Sequence, residues 1–119
     1  MDLSLTDTEQ RFARDVREWL IDARLALGQH YDTLDQIRAV IAADPLAEHP
    51  HVQLMLALYR CGQKSAALAA YTRLREVTSR EFGQDPGPEA QEMLRQILAD
   101  SQDLMFRLRV PAARRRATV

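Results

Sequence analysis

The three histidines of this 119-residue chain are the first candidates for metal binding or acid–base chemistry. His49 and His51 flank a proline, and His30 stands apart from them with no spacing that ties the three together. A structural zinc site needs four ligands from cysteine, histidine or carboxylate side chains, and this set falls short. We therefore expect residues of a surface turn at this point, with no metal and no cofactor bound.

A second candidate for chemistry is a row of carboxylates, Asp15, Glu18 and Asp22, spaced to share one face of a helix. A general acid needs burial and a partner that raises its pKa, and nothing nearby in the sequence supplies either. The row is therefore a solvated acidic face, or an electrostatic docking strip for a basic partner. The chain also lacks a phosphate loop, a dinucleotide fingerprint and catalytic-triad spacing, so we predict that it is not an enzyme.

The single cysteine, Cys61, stands just before Gly62 and excludes a disulfide within the chain. A small side chain before a helix-ending glycine is better explained as core filler than as a redox switch. A lone thiol also fits a reducing compartment. Since no apolar run reaches membrane-spanning length and residues 1–10 lack a signal-peptide core, we predict a cytoplasmic location.

A cluster of arginines could contact nucleic-acid phosphates. Up to Phe106 the chain carries 11 basic and 17 acidic residues, whereas residues 107–119 carry five arginines and no acid. Arg114, Arg115 and Arg116 are the candidates for phosphate contact. Because no aromatic residues are interleaved with them, we favour a solvated basic tail over residues 107–119 and do not expect DNA binding by the chain alone.

A 34-residue repeat organises the rest of the chain, because Gly28 and Gly62 each close one apolar helix and open another. This is the period of the tetratricopeptide unit, whose helix pairs stack to bury their apolar faces. The predicted fold is all-α, with two tetratricopeptide-like antiparallel helical hairpins and a closing C-terminal helix in a domain of residues 1–106. We place the helices at about 6–27, 32–43, 50–61, 64–82 and from 89 to beyond 104.

Apolar patterning indicates how these helices pack. Helix three is apolar almost all round, which predicts a central position with neighbours on both sides. Helix one carries an apolar stripe at helical spacing. Its members are Phe12, Val16, Trp19, Leu20, Ala23 and Leu27.

Three stretches of the chain resemble a known family. They are residues 54–63 with Tyr-Arg-x-Gly at 59–62, residues 67–75, and residues 81–89 with Asp-Pro-Gly-Pro-Glu at 85–89. Over roughly residues 15–100 the sequence is similar to the bacterial transcriptional activator domain of the Streptomyces antibiotic regulatory proteins. The resemblance implies a tetratricopeptide-like all-α module that serves transcriptional regulation.

In that family the domain follows a winged-helix DNA-binding domain and opens with a further helical pair. Neither is recognisable before helix one in this sequence. We therefore expect a module that lacks its own DNA-binding domain, and we expect one face of helix one to be uncovered. Phe12, Val16 and Trp19 on that face are candidates for self-association.

The leading hypothesis is therefore a protein–protein interaction module in bacterial transcriptional regulation. Its partner would be another transcription regulator, RNA polymerase or a second copy of the chain. A general tetratricopeptide adaptor or chaperone-type scaffold, not tied to transcription, is the alternative. The candidate groove residues, counted from Gly28 and Gly62, are Asp15, Glu18, Asp22, His49, Val52, Leu56, Tyr59 and Arg60.

Overall fold

The computed structural model describes residues 6–106, and all regular structure in that range is helical. The helices are α1 Asp7–Ala26, α2 His30–Ala43, α3 Glu48–Arg60, α4 Lys64–Phe82, α5 Pro88–Leu98 and α6 Asp103–Phe106. None of them is long and apolar enough to cross a membrane. The predicted all-α class is confirmed, with α1–α2 and α3–α4 as the two hairpins and α5 packed on the second of them.

Gly28 and Gly62 end α1 and α3 in the same way. Both have left-handed backbone, with φ of +83° and +79°. At each site the glycine N–H and the N–H that follows it donate to carbonyls of the preceding turn at 2.9–3.1 Å. This pair of bonds is the Schellman closure, which satisfies carbonyls that a helix end leaves without partners. The glycines that mark the repeat therefore form its two hairpin turns.

The last long helix is shorter than predicted, since α5 ends at Leu98 instead of continuing beyond Leu104. The cause is Asp100, which adopts left-handed backbone with φ of +49° and repeats the two-bond closure of the glycine sites. Its carboxylate accepts hydrogen bonds from Tyr59 and Lys64, both at 2.9 Å. Leu104 belongs to the separate short helix α6 and is fully buried.

The other helix boundaries lie close to their predicted positions. The bounds of α4 match, while α2 and α3 each begin about two residues early. Pro50 is accommodated in the first turn of α3, where a helix needs no backbone N–H. Glu48, two residues before Pro50, accepts a hydrogen bond at 2.7 Å from the N–H of Gly87 at the start of α5.

Helix α3 forms the centre of the molecule, as its all-round apolar pattern predicts. Every residue from Pro50 to Leu58 is buried. Helices α1, α2, α4, α5 and α6 all pack against it. The core is therefore one continuous cluster around α3, and the polar side chains of this helix must be paired within it.

Helix α1 has two apolar faces, and the structure buries the smaller one. Ile21 and Leu25 enter the core with at most 1% exposure. Most of the longer stripe that begins at Phe12 faces solvent. Periodicity identified the helix and the stripe, but it could not decide which face meets α3.

The basic tail and the domain boundary at residue 106 remain predictions. Residues 107–119 lie outside the described residues, and so do the candidate phosphate contacts Arg114, Arg115 and Arg116.

Candidate interaction surfaces

The stripe on α1 is an exposed apolar surface, and we call it the α1 stripe. Phe12, Trp19 and Leu27 are 70%, 53% and 74% exposed, and Val16 and Leu20 lie between them at 39% and 42%. Their spacing places them on the side of α1 opposite Ile21 and Leu25. Groups of exposed large apolar side chains are typical of association sites on small proteins.

The two flanks of the α1 stripe carry opposite charges. On the side towards α2 lie Arg17 and Arg24, and Nη1 of Arg24 donates to Gln36 at 2.7 Å. Asp15 lies on the other side, towards α3 and α5, where Asp22 also lies and accepts a hydrogen bond from His49. The surface that surrounds the stripe is therefore polarised across the helix.

A network of polar side chains runs along α3, beginning at His49. Its Nε2 donates to Oδ2 of Asp22 at 3.0 Å, and its Nδ1 donates to Oε1 of Glu89 at 2.6 Å. Burial alone would lower the pKa of His49, but the hydrogen bonds and charges of the two carboxylates outweigh it and raise the pKa to about 10. The ring is therefore an imidazolium that links α1, α3 and α5.

Gln53, one turn further along α3, extends this network. Its Nε2 donates to the backbone oxygen of Glu18 and to Oδ1 of Asp22, both at 2.9 Å. Its Oε1 is buried without a hydrogen-bond partner. Burial raises the pKa of the neighbouring Glu18 carboxyl, and the charges of Asp15 and Asp22 add to that rise against the lowering effect of His49.

Arg60 anchors the far end of α3. Its guanidinium donates to the carbonyl of Leu25 at 3.0 Å and to the carbonyl of Leu104. It therefore satisfies backbone oxygens at the end of α1 and in α6. Tyr59 beside it donates to Asp100, so both residues hold helix ends together.

These positions change how the predicted groove is interpreted. Asp15 is exposed, while Glu18, Asp22, Tyr59 and Arg60 are partly buried. Val52 and Leu56 are only 3% exposed and belong to the core, because the face of α3 that carries them is covered by neighbouring helices. The prediction of Val52 and Leu56 as groove residues is therefore corrected. Among the described residues, five of the nine exposed large apolar side chains lie on the α1 stripe.

The two histidines around Pro50 are also not turn residues. Both lie in the first turn of α3, where His51 is 3% exposed and its Nε2 donates to the carbonyl of Pro45 at 2.8 Å. Within residues 6–106 no group of His, Cys, Asp and Glu is arranged to hold a metal ion. The two ring nitrogens of His49 point at different carboxylates, so the cluster with Asp22 and Glu89 has no common centre for a cation.

Cys61 packs against the core as a partly buried thiol. Burial raises its pKa, which disfavours the reactive thiolate. This environment agrees with its interpretation as core filler.

Comparison with known proteins gives the family. Residues 5–98 match the bacterial transcriptional activator domain. The chain belongs to this family. The bacterial transcriptional activator domain accounts for both hairpins and for α5, and it ties the chain to transcriptional regulation.

Relatives of this activator domain are regulatory proteins of Streptomyces. The regulatory protein AfsR of Streptomyces griseus is 38% identical over 87 residues, which is 73% of this chain and 9% of that protein. AfsR of Streptomyces coelicolor is 41% identical over 81 residues, which is 68% of this chain and 8% of that protein. The regulatory protein DnrI of Streptomyces peucetius is 35% identical over 83 residues, which is 70% of this chain and 30% of that protein. The chain therefore spans less than a third of the length of each of these relatives.

Proposed function

We propose that this activator domain is a protein-interaction module, and that its α1 stripe packs against the same stripe of a second copy. The observation that carries the proposal is the exposure of Phe12, Trp19 and Leu27 on one face of a helix whose other face is already in the core. A helix with apolar residues on two opposite sides is suited to a position between two neighbours. Here the core provides one neighbour and the second copy provides the other.

The charges beside the stripe favour one arrangement of the two copies. If a two-fold axis runs parallel to α1, the flank with Asp15 in one copy meets the flank with Arg17 and Arg24 in the other. If the helices run antiparallel, each flank meets the same flank of the other copy, so like charges face one another. Charge pairing at the rim of an interface mainly sets orientation. We therefore infer that the two α1 helices run parallel.

Binding rather than catalysis also fits the polar cluster on α3. In the cluster of Asp22, His49 and Glu89 the imidazolium is shared by two carboxylates, and its proton is held with a pKa of about 10. A general base must release and accept its proton near working pH. We propose that this cluster sets the packing of the helices, and that the module acts in the cytoplasm by bringing regulator copies together.

Trp19, the single tryptophan, provides a direct test because it lies in the middle of the stripe. Sedimentation equilibrium and Trp19 emission are measured together on the full chain as its concentration rises. We expect a dimer mass to appear in step with a blue shift of the emission. Val16→Asp should weaken the dimer by at least about tenfold, because it would bury an unpaired carboxylate.

A matched control is Thr72→Asp, which places a carboxylate on the exposed surface of α4 and should leave the dimer unchanged. Circular dichroism checks that both variants keep their helix content. The proposal is overturned if the mass stays that of a monomer and the Trp19 emission stays constant up to a protein concentration of about 1 mM. A dimer that does not form at this concentration has a dissociation free energy below roughly 4 kcal/mol.

A further inference from the structure

A small cleft lies between α2, α3 and α4, away from the α1 stripe. Its volume is about 270 Å³. Ile41, Leu54 and Ala70 form an apolar floor, and Arg38 and Arg73 stand at the rim. Leu54 and Ala70 are 7% and 4% exposed, so the floor is part of the core surface.

The wall of this cleft is held in place from within the protein. His51 lines it, and the hydrogen bond from its Nε2 to the carbonyl of Pro45 fixes the ring. Helices α2 and α4 also both pack directly on α3, which lies between them. The cleft is therefore formed before any ligand arrives, which lowers the entropic cost of binding.

Both guanidinium groups at the rim are available for a ligand. Arg38 and Arg73 are exposed, and within residues 6–106 neither forms an ion pair or hydrogen bond with another side chain. Asp35 and Glu76 each stand one helical turn from one of them, yet neither carboxylate pairs with it. By contrast, Arg60 is committed to backbone carbonyls.

The chemistry of the cleft defines its ligand. Guanidinium groups bind carboxylates through paired, charge-assisted hydrogen bonds. The apolar floor between them has room for one side chain of about the size of leucine or phenylalanine. A ligand that satisfies both features has an apolar side chain with carboxylates on either side of it.

We propose that this cleft binds a short acidic segment of a partner protein, with one apolar side chain on the floor and flanking carboxylates on Arg38 and Arg73. The rest of the described chain is acidic overall, so it attracts such a segment only where cations are grouped, as Arg38 and Arg73 are at this rim. The two arginines therefore determine where the segment binds as well as which charge it must carry. This surface shares no residue with the α1 stripe, and its use does not depend on dimer formation.

The test uses a fluorescent synthetic peptide that carries one leucine flanked by aspartates on both sides. Fluorescence anisotropy with the full chain should show saturable binding that weakens as salt rises. The double variant Arg38→Gln with Arg73→Gln should bind the peptide at least about tenfold more weakly, because it loses charge-assisted hydrogen bonds. The double variant Arg11→Gln with Arg75→Gln removes the same charge elsewhere and should bind it as the wild type does.

Two altered peptides separate the charged from the apolar part of the recognition. Replacing the aspartates by asparagines, or the leucine by serine, should each weaken binding by about tenfold. The proposal is overturned if the Arg38/Arg73 variant binds as well as the Arg11/Arg75 variant. It is also overturned if the serine peptide binds as well as the leucine peptide, since the cleft would then be a site for anions in general.

The Val16→Asp chain, in which the dimer is weakened, should bind the peptide with the affinity of the wild type. A failure of dimer formation and a failure of peptide binding are therefore separate results.

Discussion

Nδ1 of His49 lies 2.6 Å from Oε1 of Glu89, although 40 positions separate the two residues in the chain. Because Nε2 of the same ring lies 3.0 Å from Asp22, a single positive charge joins three helices. One protonated side chain therefore contributes to the packing of both α1 and α5 on α3.

Replacement of His49 should destabilise the fold. In His49→Gln the charges of Asp22 and Glu89 lose their shared partner while they remain partly buried. Removing one partner of a buried ion pair lowers stability strongly. Because this site is partly exposed, the effect is smaller here, and we expect a decrease of about 2 kcal/mol in the free energy of unfolding. Urea unfolding followed by circular dichroism measures it.

The matched control for this variant is Arg14→Gln, which removes a surface pair with Asp44 at 3.7 Å. Exposed pairs of this kind contribute little, so the control should lose less than about 0.5 kcal/mol. Equal losses in the two variants would show that the His49 cluster has no special role.

The same cluster predicts a dependence of stability on alkaline pH. The pKa of His49 is raised to about 10 in the folded chain, against an ordinary value of about 6.5 in the unfolded chain. Its contribution is therefore complete below about pH 6.5 and disappears as the pH rises through 10. The free energy of unfolding should fall over this window by at most about 1.4 kcal/mol per pH unit.

Comparison with His49→Gln isolates this effect. Cys61 also ionises at alkaline pH, but it does so in both proteins, so the difference between the two stability curves reports on His49. That difference should shrink between pH 7 and 10. Parallel curves over the whole range would contradict the assignment of a raised pKa to this imidazole.

Arg60→Lys should also weaken the fold, although the charge is kept. An ammonium group lacks the planar fork with which Arg60 reaches the carbonyls of Leu25 and Leu104 at once. We expect a loss of about 1–2 kcal/mol and faster hydrogen exchange at the amide of Leu104. Arg95→Lys, on the exposed face of α5, is the control and should leave that exchange rate unchanged. Unchanged exchange at Leu104 in Arg60→Lys would contradict the role assigned to the guanidinium.

The orientation of the proposed dimer can be read from two charge-neutralising variants. In a parallel arrangement Asp15→Asn and Arg17→Gln each remove an attraction, so each should weaken the dimer by about two- to fivefold. In an antiparallel arrangement each would remove a repulsion and strengthen it. Sedimentation equilibrium with Trp19 emission gives the sign, and Asp32→Asn on α2 is the control. A stronger dimer in either variant would rule out the parallel arrangement.

The sequence predicts the features of this fold that depend on neighbouring residues. Gly28 and Gly62 are such features, because a helix end with left-handed backbone is set within a few positions. The end of α5 was missed because Asp100, with no glycine to mark it, takes that conformation with help from Tyr59 and Lys64. The side chains that stabilise it come from distant positions in the chain.

The polar cluster could not be predicted for a related reason. His49 meets Asp22 and Glu89 across 27 and 40 positions, and no spacing in the sequence encodes such a meeting. Its only local signal was a histidine just before the predicted start of a helix. The acidic row on α1 was identified, but its division between an exposed Asp15 and a bonded Asp22 depends on where α3 and α5 lie.

The closures at Gly28 and Gly62 need nothing beyond the backbone of the turn that they end. If a segment that lies between two such closures is duplicated or deleted, the turns at its ends therefore still form. An array built this way can grow or shrink by whole units during evolution, and only the faces where units meet have to adapt. The exposed stripe on α1 is one such face.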